Sequence, residues 1–401
     1  MVSVCFYFQV HQPMRLRKYS VFEIGSSRNY FDNNKNKEIV DKVKTKCYLP
    51  ANNLMLELIR RLDGKFKIAY SISGVALEQF KEWAPEVIDS FKELAATGCV
   101  EFLAETYHHS LSFLYSKDEF REQVAKHHSE INRLFGQSPK VFRNTELIYN
   151  NELAWHAENM GYQGVLAEGA DHVLGWRSPN FLYRPVTTSK IKLLLKNYRL
   201  SDDIAFRFSN KGWNEWPLNV DKYCRWLNAN NGNGNVVNLF MDYETFGEHQ
   251  WEDTGIFEFM RHLPEAILRH PDNEFKTPSE VIKSYPVVGD LDIHHPISWA
   301  DIERDTSAWL GNSMQQSAAH HLYCMEEEIK ATNDPALIED WRRLQTSDHF
   351  YYMCTKWFND GDVHKYFNPY DSPYESFIAF MNIINDLRQR AKPLEQEKEV
   401  V

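Results

Sequence analysis

The sequence predicts an α/β protein, a parallel sheet or barrel of β/α units followed by a helical bundle. Three observations predict it. Over roughly the first 285 residues, short apolar runs rich in β-formers alternate with helical periods, the pattern of consecutive β/α units. Chemically active side chains recur where those runs end. From about Ser284 onward the apolar spacing is helical throughout.

Each element follows from its own pattern. Residues 2–10 form an apolar run; MVSVCFYFQVHQP has no basic leader and no small-residue cleavage site, so it reads as a first strand rather than a signal peptide. Residues 66–73 (FKIAYSIS) form a second strand. A helical stretch follows, carrying Leu77, Phe80, Val87, Ile88, Phe91 and Leu94, with Pro85 as a kink or restart and Gly98 as a stop. Residues 99–104 form the next strand, and DEFREQVAKHHSEINRLFG sets Phe120, Val124, Ile131, Leu134 and Phe135 on one helical face. Residues 140–146 read as a strand, 152–160 as a helix and 163–167 as a short strand. The loop NANNGNGN (228–235) precedes an apolar run that ends abruptly in Asp242 and Glu244. In the tail, Met314, Ala318, Leu322, Met325 and Ile329, then Ile338, Trp341 and Leu344, then Phe377, Phe380, Met381, Ile384 and Leu387 keep helical spacing, a bundle packed on the barrel. The polar run 392–401 is expected to fray. The expected division is 1–285 for the barrel and 286–401 for the helical domain.

Composition excludes several classes. The net charge is −11, without a basic block, which argues against nucleic acid and against an anionic membrane as partners. No stretch reaches transmembrane length. The six cysteines form no C-x-x-C pair and several sit in apolar runs, which points to a reducing compartment, by default the cytoplasm. Sixteen histidines include four His-His pairs, but adjacent side chains diverge, and no H-E-x-x-H or cysteine cluster occurs; no metal is expected. There is no Walker loop, no G-x-G-x-x-G after a strand and no G-x-S-x-G elbow, so neither a nucleotide cofactor nor a serine nucleophile is expected. Aromatics reach 14%, which suits flat pyranose faces and large cores equally well.

In α/β folds of this kind the site lies beyond the carboxyl ends of the strands. His11, Glu101 with Glu105, Glu146, and Asp242 with Glu244 fall at the ends of four separate predicted strands. Two carboxyl groups across a cleft suit acid/base or nucleophile/acid work on an acetal. One must stay ionised; the other must keep a proton near neutral pH, through burial or a neighbouring anion. Asp242 beside Glu244 fits the second role, although spacing by itself assigns neither.

Five segments occur in order: HQP (11–13), GCVEFLAETYHHS (98–110), FRNTELIYN (142–150), LFMDYETFGEHQW (239–251) and LQTSDHFYYM (344–353). Together they resemble the ordered motifs of glycoside hydrolase family 57, its α-amylase-like branch most closely. The resemblance implies a distorted (β/α)7 barrel followed by a helical domain that contributes to the substrate cleft. It implies cleavage or transfer of α-glucosidic bonds with retention, on starch-like or glycogen-like oligosaccharides. By position, Glu146 is similar to the family's nucleophile and Asp242 to its general acid/base. His11 and Glu101 would hold the sugar, and Asp348 would reach in from the helical region. Tyr107, His249 and Trp251 would line the cleft or pack its wall. The family's transferases carry a long β-sandwich after the helical part and a different local sequence before the nucleophile than Arg143-Asn144-Thr145. Both departures favour hydrolysis, while a glucanotransferase, a branching enzyme or a non-catalytic glucan-binding protein on the same scaffold stay open.

Overall fold

The computed structural model describes residues 2–356 and 368–392. Its strands, in chain order, are β1 (Val2–Val10), β2 (Ile68–Ile72), β3 (Val100–Phe102), β4 (Val141–Arg143), β5 (Gly164–Glu168), β6 (Leu182–Pro185), β7 (Lys192–Lys196), β8 (Val236–Asp242), β9 (Asn273–Phe275) and β10 (Val287–Leu291). β1 is buried along its whole length, as a parallel strand covered on both faces must be. It pairs in parallel with β2 on one side and β8 on the other, and β2 pairs in parallel with β3. A second sheet runs β4, β5, β7, again in parallel.

Two seams join these sheets. Ala104 forms a parallel bridge with Phe142, donating to the Val141 carbonyl at 3.0 Å and accepting from the Arg143 amide at 2.8 Å. On the other side the Asn197 amide donates to the Asn238 carbonyl at 2.9 Å, and Asn238 Nδ2 donates to the Leu195 carbonyl at 2.8 Å. Seven parallel strands, β1-β2-β3-β4-β5-β7-β8, thereby close into a ring, and the short ladders at the seams are its distortion. β9 pairs with the start of β1, β6 is antiparallel to β7, and β10 pairs with β6, so strand pairing runs on past residue 285.

The strand period of two sorts side chains between the inside and outside of this ring. Cys5 and Tyr7 of β1 join Ala69, Val141, Leu166, Leu194 and Phe240 in an inner cluster, these residues coming from six of the ring's strands. Val4, Phe6, Phe8 and Val10 face the helices that flank the barrel. Pro85 does restart a helix: one runs Gly74–Trp83 and the next Pro85–Ala96. The helix Lys117–Phe135 is capped by Ser116, whose Oγ accepts from the Glu119 amide at 3.2 Å, and ends at Gly136 in the left-handed region. It buries Phe120, Val124 and Ile131 as its spacing predicts, while Leu134 and Phe135 are only half-buried.

The helices Ser313–Tyr323, Glu326–Ala331, Pro335–Arg343 and Pro373–Ala391 share one core built on Trp309, Leu322, Ile329, Trp341, Phe380 and Ile384. That core also takes Met14, Leu16, Tyr19 and Tyr30 from the segment after β1, so the tail is fastened to the barrel's upper rim. Residues 393–401, expected to fray, lie outside the described residues. Among the described residues, no helix is long and apolar enough to cross a membrane.

Candidate active site

All seven barrel strands point their carboxyl ends at one rim. There the chain places His11, Ser73, Glu105, Glu146, Glu168, Lys196 and Asp242, each at or just beyond a strand end. A single cleft over this rim is lined by His11, His109, Glu146, Asp242 and Asp348. The two carboxyl groups expected to face one another therefore border the same space.

Glu146 is held by unusual backbone. After β4 the chain turns so that Glu146 and Leu147 both take positive φ, 57° and 51°. Each such non-glycine residue costs on the order of 1–3 kcal/mol, which the surroundings must offset. The Leu147 amide donates to Asn144 O (3.0 Å), the Ile148 amide to Thr145 O (2.9 Å), and Asn144 Nδ2 to Ile148 O (3.0 Å). Leu147 meanwhile buries its side chain in the barrel interior. The turn aims the Glu146 carboxyl group into the cleft, and the residue as a whole is 7% exposed. Oε2 accepts from Trp299 Nε1 at 2.8 Å, Oε1 accepts from Ser347 Oγ at 3.0 Å, and His109 Nε2 stands 3.3 Å from Oε1. Three distant stretches of chain thus hold one carboxyl group.

The tail reaches this point through a short zipper. Ser110 bridges Thr346, the Ser347 amide donates to His109 O at 2.9 Å, and Thr346 Oγ1 donates to His108 O at 2.8 Å. The helix Ser347–Tyr351 then starts at the rim. Its Asp348 Oδ2 lies 3.0 Å from His11 Nε2, while His11 Nδ1 lies 2.6 Å from Ser73 Oγ. The His11 ring lies flat on that of His109, with centroids 3.9 Å apart. Burial, and then the charge of His109, lower the His11 pKa against the pull of Asp348.

In the single helical turn just after β8, Glu244 is buried and its Oε1 accepts from Tyr48 Oη. Burial first, and the Asp242 charge second, push the Glu244 pKa up to about 8, although the Tyr48 hydrogen bond opposes them. Near neutral pH the pair Asp242–Glu244 therefore retains one proton, which belongs to the pair and is open to Asp242 as well as to Glu244. This has a stability consequence. An unfolded Glu244 releases its proton near pH 4.5, whereas the folded one keeps it to about pH 8. Between those values the native state binds more protons, so its stability falls as pH rises. Glu244→Gln removes that loss while keeping an acceptor for Tyr48. Its melting temperature relative to the parent is expected to rise between pH 5 and pH 8.5, by the equivalent of a few kcal/mol, on the order set by the shift. An unchanged difference across that range would refute a proton retained by the pair.

Other expected residues lie elsewhere. Glu101 is inside the barrel but below the rim: its carboxyl group accepts from the Ser279 amide at 2.9 Å and from Ser279 Oγ, at the start of the helix Pro278–Ser284. The strand pairing continues past β3 to the bridge at Ala104, so the residue that reaches the rim is Glu105, and Glu101 sits too low to hold a sugar. Tyr107 donates from Oη to Glu78 Oε1 at 3.0 Å and packs on Gly74, where a Cβ would come within 2.4 Å of its ring; it packs the wall. Trp251 is 53% exposed beside Lys46, whose Nζ lies 5.7 Å from its ring, and does not border the cleft. His249 does border it.

The sequence reasoning missed His109, Trp299 and Ser347. Locally His109 reads as half of a His-His pair, although a histidine four residues after a rim glutamate is a usable signal. Trp299 lies in an aperiodic loop after β10, and nothing local marks it. It is clasped between cations, with Arg143 4.9 Å and Lys196 5.4 Å from its ring.

A closed ring of seven β/α strands, with Glu146, Asp242 and Glu244 bordering one rim cleft, is the arrangement of enzymes that work on glycosidic bonds with paired acids. The chain belongs to glycosyl hydrolase family 57, whose model matches residues 5–294. A protein of Methanocaldococcus jannaschii named "Putative alpha-amylase" is 45% identical over 407 residues, covering 98% of this chain and 85% of that protein. Two solved structures share the fold. One is the 4-alpha-glucanotransferase of Thermococcus litoralis (TM-score 0.71, 15% identity, 97% of this chain covered). The other is the alpha-amylase AmyC of Thermotoga maritima (TM-score 0.60, 11% identity, 98% of this chain and 94% of that one). The chain spans 60% of the glucanotransferase's length.

Proposed function

We propose that the protein is a retaining hydrolase of α-glucosidic bonds, α-1,4 bonds of starch-type or glycogen-type oligosaccharides in particular. The observation that carries this is the Glu146 carboxyl group, fastened by Trp299 and Ser347 at the rim of a cleft that Asp242 also borders. In the first step a Glu146 oxygen attacks the anomeric carbon as its bond to the leaving oxygen breaks, and Asp242 delivers a proton to that oxygen. In the second, Asp242 takes a proton from water, the water oxygen bonds to the anomeric carbon, and Glu146 leaves as carboxylate. Trp299 and Tyr351 border the cleft and offer aromatic surface for pyranose rings. The name of the M. jannaschii relative supports the α-glucan as substrate. All six cysteines are free, which supports a reducing compartment, the cytoplasm.

Incubation with maltoheptaose, followed by proton NMR of the fresh products, tests this. Shorter oligosaccharides that appear first as α-anomers are expected. First-formed β-anomers would overturn the role of Glu146 as nucleophile. Longer products would indicate transfer to a sugar acceptor, and binding without any product would indicate a glucan-binding protein.

A further inference from the structure

Glu105 and His109 make and break no bond in this reaction, yet the fold invests in placing them beside it. Both are buried, and His109 takes a left-handed backbone, φ 51°, that a non-glycine residue adopts only when its surroundings compel it. That backbone stands the ring between two acids. Nδ1 lies 2.9 Å from Glu105 Oε2, and Nε2 lies 3.3 Å from Glu146 Oε1. A neutral imidazole has one N–H and would turn a lone pair toward one of the two carboxyl groups; only the imidazolium donates to both.

We propose that Glu105 and His109 form a positioning unit for the nucleophile: Glu105 holds His109 as a cation, and that cation orients the Glu146 carboxylate and keeps it ionised. This rests on Glu146 being the nucleophile. The unit acts in both steps. Before attack it favours the anion over the acid. During breakdown of the glycosyl ester it donates to the oxygen on which charge returns, the atom that must leave.

The other charged and titratable neighbours agree with His109 as the one charged ring among the histidines here. His11, stacked on its face, is biased to the neutral form by burial and by His109 itself, and turns its own Nε2 to Asp348. His127 accepts the Glu105 amide on Nδ1 at 3.2 Å and faces Ile72 O with Nε2 at 2.9 Å, the pattern of a neutral ring. Arg143 Nη1 stands 4.0 Å from Glu105 Oε2, and Gln9 Nε2 donates to Glu105 Oε1 at 3.1 Å, so Glu105 keeps a full set of partners as an anion. Burial works against both charges, but the hydrogen bonds to Glu105 and Glu146 outweigh it at His109, whose pKa is pushed up to about 9. Against burial, the hydrogen bond and charge of His109, with the charge of Arg143, bring Glu105 down to about 2.

The full-length protein labelled with nitrogen-15 histidine provides a test independent of turnover. The signals lost in His109→Gln identify the ring. Both its nitrogens are expected to stay protonated to about pH 9 in the parent, and to titrate at least about one pH unit lower in Glu105→Gln. A His109 that titrates at or below the ordinary value of about 6.5 overturns the proposal. On malto-oligosaccharides, His109→Gln is expected to move the acidic limb of kcat/KM to higher pH by about one unit, with kcat falling about 10- to 100-fold. A fall in rate with the limb unmoved would mark a merely structural role and also overturn it. If the parent cleaves no glucan, the assigned activity falls, and the histidine titration still decides the state of the Glu105–His109 pair.

Discussion

Glu146→Gln is expected to lose roughly four orders of magnitude or more of kcat on malto-oligosaccharides, with binding of the same sugars retained. The substitution is nearly isosteric. The amide oxygen can still accept from Trp299 Nε1 or Ser347 Oγ, which sit 2.8 and 3.0 Å from the present carboxyl oxygens. The turn that carries residue 146 is held by backbone bonds and by buried Leu147, neither of which the change touches. What is lost is the charged oxygen that bonds to the anomeric carbon. A smaller variant, Glu146→Ala, adds a stereochemical readout. Azide entering the vacated space attacks the face the carboxylate would have used, so an α-linked substrate is expected to give a β-glycosyl azide. Isothermal titration with maltoheptaose and NMR of the azide product check both halves. A Glu146→Gln protein that hydrolyses at the parent rate would remove Glu146 from the chemistry.

Asp242→Ala is expected to cost about 10²- to 10⁴-fold on malto-oligosaccharides, the range for loss of a positioned acid/base. An α-glucosyl fluoride needs no proton on its leaving group, so its first step is expected to survive nearly intact, and the glycosyl-enzyme to accumulate. Azide then attacks that intermediate from the water side, which makes the expected product an α-glycosyl azide. The opposite anomers from the two variants distinguish nucleophile from acid/base. Equal losses on the fluoride and on maltoheptaose would contradict the role of Asp242. The neighbouring Glu244 should respond as well: with the Asp242 charge gone, one of the causes raising its pKa disappears.

Much of the architecture was legible because it depends on short-range patterns. Apolar runs alternating with helical periods do build the ring of seven parallel strands, and the helical spacing of the tail does match one shared core of Trp309, Trp341 and Phe380. Glu146 and Asp242 stand at strand ends because parallel strands release the chain into the rim, where polar groups can meet solvent and substrate. The failures are equally specific. Glu101 and Glu105 belong to one segment, and the choice between them turned on how far strand pairing continues, which the Ala104–Phe142 bridge settles between two parts of the chain. Tyr107 stands in the same motif as the rim residues, but its ring faces Gly74.

By itself, then, the sequence determined the β/α order, the helical tail and that Glu146 and Asp242 stand at strand ends, since these follow from side-chain periods of two and 3.6 read over a few residues. Only the tertiary structure decided what surrounds each acid: Trp299, Ser347 and His109 on Glu146, and Tyr48 on Glu244. These partners lie 153, 201, 37 and 196 residues away along the chain. Burial and charge at such contacts depend on closing the ring and docking the tail, so no local pattern encodes them.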